Sequence, residues 1–174
     1  MLMKRSRRVL CAALASVSAL MATPAMADTA TATFQVSVII QKACTVTAGA
    51  PSNISLGTVA ATAINMSGNN TISVNCSKTT PYNIGLAPSN ASTTGAGQMS
   101  GTGGNTDKVG YQLRSTAGPS GTIWGNTATA ISVGNGVAGT GTGAAQTHTV
   151  YVTAPSANFT PDVYTDTVTV NVNF

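Results

Sequence analysis

The stretch whose reading decides the fold is "YTDTVTVNVNF" (164–174). From Val168 on, every second side chain is apolar, at Val168, Val170, Val172 and Phe174, with Thr169, Asn171 and Asn173 between them. Side chains of a strand point alternately to opposite faces, so this is a half-buried β-strand with one apolar face. The sequence ends on it, and the expectation is that another segment covers that face and pairs with the free backbone edge.

Short alternating runs of the same kind recur upstream, at 31–40, 53–59, 71–77, 81–87, 108–115 and 148–154, separated by turn residues. Thr, Ser, Asn, Gly and Val dominate and Glu is absent. β-branched residues favour a pleated surface, and Gly and Asn supply turns. About seven short strands at this spacing indicate an all-β, immunoglobulin-like antiparallel sandwich. Ile72, Val74 and Cys76 share one parity, as do Tyr82, Ile84 and Leu86, and Val109, Tyr111 and Leu113, so each set is expected between the sheets. Two glycine-rich stretches, 93–105 and 134–145, are expected as long mobile loops or irregular hairpin tips. "GNGVAG" (134–139) matches a dinucleotide-binding pattern, but it opens no helix and belongs to no βαβ unit.

The opposite end of the chain has the layout of a secretory signal peptide. Residues 1–27 run from a basic start through an apolar stretch, too short for a comfortable membrane span, to Ala25-Met26-Ala27. Cleavage is expected between Ala27 and Asp28. An ordinary basic leader explains Lys4, Arg5, Arg7 and Arg8 more simply than a twin-arginine signal. Those four residues also carry the whole net charge of +4. In the remainder, Lys42, Lys78, Lys108 and Arg114 cancel Asp28, Asp107, Asp162 and Asp166. No basic patch is left to neutralise phosphates, which argues against nucleic acid. Residues 28–174 suffice for one domain. Cys44 and Cys76 are an even pair in an exported chain, and a disulfide between them is expected.

The chemistry of an enzyme is scarce. Residues 28–174 hold one histidine, no glutamate, four aspartates and no cysteine outside that pair. Catalysis needs groups that exchange protons, attack or hold a metal. His148 has the parity of Val150 and Val152 and reads as a residue at the core margin. Trp124 reads as core packing. Asp166 lies on the apolar parity of the last strand, either hydrogen-bonded near its start or exposed. The expectation is a non-enzyme with no cofactor, no metal and no small-molecule substrate.

The apolar face of the last strand has one evident counterpart. "DTATATFQVSVII" (28–40) puts Ala30, Ala32, Phe34, Val36, Val38 and Ile40 on one parity. This is longer than one strand of a small sandwich needs before Cys44, so its first part reads as detachable and 36–46 as the domain's first strand. Leaving a groove of this kind empty exposes several side chains at about 1.5–3 kcal/mol each. That sum rivals a typical domain's stability of about 5–15 kcal/mol. Insertion of the extension into a neighbour gives a head-to-tail contact that does not close, and therefore a fibre.

The pieces "ACTVTAG" (43–49), "ISLGTVAA" (54–61), "GNNTISVNCSKTTPYNIGL" (68–86), "YQLRS" (111–115), "TIWGN" (122–126) and "TVYVTAPSANFTPDVYTDTVTVNVNF" (149–174) together resemble the spore coat protein U domain family. That family includes pilins of archaic chaperone–usher systems. The resemblance implies an incomplete immunoglobulin-like sandwich, completed first by a strand of a periplasmic chaperone and then by the N-terminal strand of the next subunit. On this basis Cys44–Cys76 is the family's disulfide, and 28–38 is the donor segment, with Ala30, Ala32, Phe34, Val36 and Val38 facing inward. Residues 39–174 form the pilin-type domain, and Val168, Val170, Val172 and Phe174 border the acceptor groove where the chaperone docks. "VYVTAP" (150–155) departs from the family's pattern, in which Gly often follows the Tyr.

The implied function is a structural subunit of a surface pilus, polymerised by donor-strand exchange with a periplasmic chaperone and an outer-membrane usher, serving adhesion and biofilm formation. Its partners are neighbouring pilin subunits, and its route runs through the periplasm to the cell surface. The rival readings are a self-complemented spore or cell-surface coat protein and, behind it, a tip adhesin, for which the chain is short.

Overall fold

The computed structural model describes residues 28–174. Residues 1–27, with the expected signal peptide and Ala27 of its cleavage site, lie outside the described residues. Regular structure among the described residues is β throughout, apart from a single 3-10 turn at Ala50–Ser52. No helix among them is long and apolar enough to cross a membrane.

The strands are β1 (Cys44–Thr47), β2 (Ile64–Cys76), β3 (Pro81–Pro88), β4 (Ala96–Gly101), β5 (Lys108–Arg114), β6 (Val137–Thr140), β7 (Gln146–Ser156), β8 (Tyr164–Thr165) and β9 (Val168–Asn173). They form two antiparallel sheets, a six-stranded one in the order β1-β2-β7-β5-β4-β8 and a three-stranded one in the order β6-β3-β9. The core holds the inner sets the pattern predicts, Ile72, Val74 and Cys76 from β2, Tyr82, Ile84 and Leu86 from β3, and Tyr111 and Leu113 from β5, joined by Val150, Val152 and Ala154 from β7; Val109 is buried outside that cluster. Trp124 is buried among them and its Nε1 donates to the Ile84 carbonyl at 2.8 Å, which satisfies the indole N–H. Cys44 and Cys76 stand opposite each other in the β1–β2 register and are disulfide-bonded.

Two strands fall inside the stretches expected to be loops. β4 carries Gly97 opposite Tyr111, and β6 carries Gly139 opposite Tyr82. A Cβ on Gly97 would sit 2.0 Å from the Tyr111 ring, and one on Gly139 would sit 2.2 Å from the Tyr82 ring. In both places a tyrosine ring lies across the neighbouring strand where a side chain is missing, so glycine here marks close packing inside a sheet.

Residues 53–59, expected as a strand, have no strand pairing. They cross over the inner side of β2 instead. The Asn70 amide donates to the carbonyls of Pro51 (2.9 Å) and Asn53 (2.8 Å). A Cβ on Gly68 would lie 2.7 Å from the Ser55 carbonyl oxygen, so glycine makes room for the crossing backbone. The domain's first strand begins at Cys44, not near Val36, and residues 28–43 carry no strand. Phe34, Val36, Val38, Ile39 and Ile40 are each more than 80% exposed.

Candidate functional site

β9 pairs with β3 from Pro88↔Val168 to Asn83↔Asn173 and is the last strand of its sheet. Its outer edge has no strand neighbour among the described residues. Beside that edge lies a groove of about 520 Å³. One wall is the crossing segment, through Ile54 and Leu56, and the other is Val168 and Val170 of β9. The floor is the hydrophobic core itself: Ile72, Leu86, Leu113, Val150 and Val152, with Met99 and Tyr111. An unpaired strand edge above an apolar floor accepts an extended segment twice over, through its backbone groups and through alternate side chains.

The groove ends at the turn between β8 and β9. There the Tyr111 hydroxyl donates to Asp166 Oδ2 at 2.7 Å, and the Thr167 N–H donates to Asp166 Oδ1 at 2.7 Å. Burial and then the Asp166 carboxylate beside it raise the Tyr111 phenol well above the usual tyrosine range, so it remains a donor at any physiological pH. Asp166, which the sequence left either bonded or exposed, is bonded and half-buried.

The four residues expected at the acceptor groove do not share one environment. Val168 and Val170 line it, whereas Val172 and Phe174 are not among the lining residues. Val172 is half-buried opposite Ile84, and Phe174 is exposed. Of the expected donor residues, Ala30, Ala32, Phe34, Val36 and Val38 are all exposed. Sequence reasoning missed Ile54, Leu56 and Met99. The parity of Ile54 and Leu56 was a visible signal, but it was consistent with an ordinary strand.

A larger concavity of about 640 Å³ lies on the outer face of the six-stranded sheet. Several of its polar side chains are engaged within the protein: Arg114 Nε donates to Thr153 Oγ1 at 3.1 Å, Gln112 to the Thr94 carbonyl at 2.9 Å and Asn90 to the Ala96 carbonyl at 3.1 Å. These contacts fix loops to the sheet, and the apolar groove is therefore the stronger candidate. Among the described residues, no group of three or more His, Cys, Asp or Glu stands together as a metal site. His148 sits at the core margin as its parity predicts, with Nε2 2.9 Å from the Tyr82 hydroxyl. Burial holds its imidazole below the usual histidine range.

No curated protein matches this chain. Among solved structures it is similar to a chaperone–tip adhesion subunit pre-assembly complex from the archaic chaperone-usher Csu pili of Acinetobacter baumannii, with a TM-score of 0.47 and 19% identity. The likeness covers 78% of this chain, which spans 40% of the chain it matches. The family described as the Spore Coat Protein U domain matches residues 30–171, nearly all of the described sequence. The chain belongs to the Spore Coat Protein U domain family.

Proposed function

We propose that this chain is a structural subunit of a surface pilus, polymerised by donor-strand exchange. One observation carries the reading: an apolar groove floored by the core lies beside the unpaired edge of β9. The exposed alternating run at 28–40 supplies a matching occupant. After cleavage between Ala27 and Asp28, residues 28–38 of one subunit enter the groove of the next, and Phe34, Val36 and Val38 meet the floor. At about 1.5–3 kcal/mol per buried side chain, those three contribute roughly 5–9 kcal/mol before the cost of ordering the strand. No covalent step is needed. Completion of the core drives assembly.

On this reading residues 39–174 are the pilin domain. A periplasmic chaperone fills the groove beside Val168 and Val170 until an outer-membrane usher brings the neighbouring subunit. The product is an extracellular fibre, with adhesion and biofilm formation as its output.

The test compares the chain with a variant lacking residues 28–38, both expressed with a chaperone, by electron microscopy of the assembled material. The full chain is expected to form fibres. The truncated one is expected to stay monomeric and to gain thermal stability on addition of a peptide of residues 28–42. Fibres of normal yield from the truncated chain would falsify the donor assignment. A full chain that is stable alone, and neither polymerises nor takes up the peptide, would establish the self-complemented coat protein instead.

A further inference from the structure

We infer that Asp166 sets the register of the inserted strand by meeting Lys42 of the donating subunit. This rests on the donor-strand reading above and adds to it an alignment.

Asp166 is the one charged residue among those lining the groove, and it is half-buried before anything enters. Both groups that donate to it, the Tyr111 hydroxyl and the Thr167 N–H, are neutral. Filling the groove withdraws water from this carboxylate, and a buried charge without a counter-charge is costly. The incoming segment has two charged residues, Asp28 near one end and Lys42 near the other. A strand running in the same direction as β9 brings its Asp28 half, which holds no cation, to Asp166. A strand running in the opposite direction brings Lys42.

Parity then selects the register. Residues directly opposite each other in an antiparallel pair lie on the same face. Lys42 shares the parity of Phe34, Val36, Val38 and Ile40, and Asp166 shares that of Val168, Val170, Val172 and Phe174. Setting Lys42 opposite Asp166 places Ile40 at Val168, Val38 at Val170, Val36 at Val172 and Phe34 at Phe174. A slip of two residues one way puts Ile40 against the carboxylate, and a slip of two the other way puts Lys42 against Val168. A slip of one turns Gln35 and Ser37 toward the core. One alignment satisfies both charge and apolar pattern. It replaces the 28–38 segment of the reading above by 34–42, with Ile40 and Val38 beside the groove residues Val168 and Val170, and Val36 and Phe34 beyond them.

The experiment uses fibres grown from a mixture of isotope-labelled and unlabelled full chains. They are treated with a carbodiimide, which joins amines to carboxylates in contact, and the digested product is read by mass spectrometry. A Lys42–Asp166 link between labelled and unlabelled chains, present in fibres and absent from monomer, is the expected result. Fibres in which Lys42 links to a different carboxylate, or in which no Lys42–Asp166 link forms, overturn the inference. As a second readout, Lys42→Asp and Asp166→Lys should each lower fibre yield by about tenfold or more, because like charges then face each other. The combined exchange should restore the yield. Failure of that rescue, with each monomer still folded, also overturns it. Wild-type chains that form no fibres refute the donor-strand reading itself, whereas wild-type fibres without the link refute this inference alone.

Discussion

The two flanks of the three-stranded sheet finish differently. On one flank of β3, β6 pairs from Pro81↔Thr140 to Ile84↔Val137, and beyond it the Leu86 N–H donates to the Gly125 carbonyl at 2.8 Å. The Tyr82 ring covers Gly139, and its hydroxyl meets His148. On the other flank, β9 follows β3 for six residues and presents an outer edge without a strand neighbour among the described residues. β6 is itself the last strand on its side, and the chain packs it with small residues and local polar contacts. The second flank keeps Val168 and Val170 half-buried over an unfilled floor. An edge of this kind is a hazard unless something pairs with it, and under the proposed function the donor strand does so at β9, beside the groove.

That contrast can be broken at three points, in falling order of expected effect. A charge placed on the β9 flank, Val170→Asp, should abolish fibres while the monomer stays folded, because the groove can then be filled only by burying an unpaired carboxylate. Fibres at wild-type yield, judged by sedimentation, would mean that β9 is not a joining edge. On the β6 flank, Gly139→Val should act on stability instead, because its side chain overlaps the Tyr82 ring. A loss of about 1–3 kcal/mol in urea unfolding is expected. A neutral result would show that the ring does not depend on that glycine.

The smallest effect is a pH dependence at His148. Burial depresses its folded pKa, so the unfolded chain binds the proton more readily. The contribution of neutral His148 is therefore fully present above the ordinary value of about 6.5 and is lost as pH falls below it, levelling off once the folded pKa is passed. The urea midpoint of the wild type should decline between pH 7.5 and pH 5 more steeply than that of His148→Gln. Equal slopes would remove His148 from the β6 flank's account.

The legible parts of the fold were those where apolar residues alternate. β2, β3, β5, β7 and β9 announced themselves through alternating sets such as Tyr82, Ile84 and Leu86 of β3, three side chains that are all in the core. β4 and β6 were illegible because the information lay in their partners. Gly97 and Gly139 look like loop residues until Tyr111 and Tyr82 are seen opposite them. Residues 53–59 carried the opposite ambiguity, since Ile54 and Leu56 alternate whether they pair in a sheet or lie across one. For the groove, Val168 and Val170 could be picked from their own strand. Met99 and Leu113 could not, because which side chains line the groove depends on where distant strands end. Asp166 was visible as a charge on an apolar parity, but its contact with Tyr111 spans 55 residues and needed the fold.

The Cys44–Cys76 bond joins the first residue of β1 to the last residue of β2. In the proposed fibre, a pull on residues 28–43 therefore reaches Cys44 and passes, through a covalent crosslink, to β2, the longest strand among the described residues. The hydrogen bonds of the four-residue β1 are not asked to carry that tension, and the short strand cannot be unzipped from its exposed end. In that fibre load runs from tether to disulfide to β2, the second strand of the six-stranded sheet, which makes the oxidation state of one cysteine pair a determinant of how the domain responds to stretching.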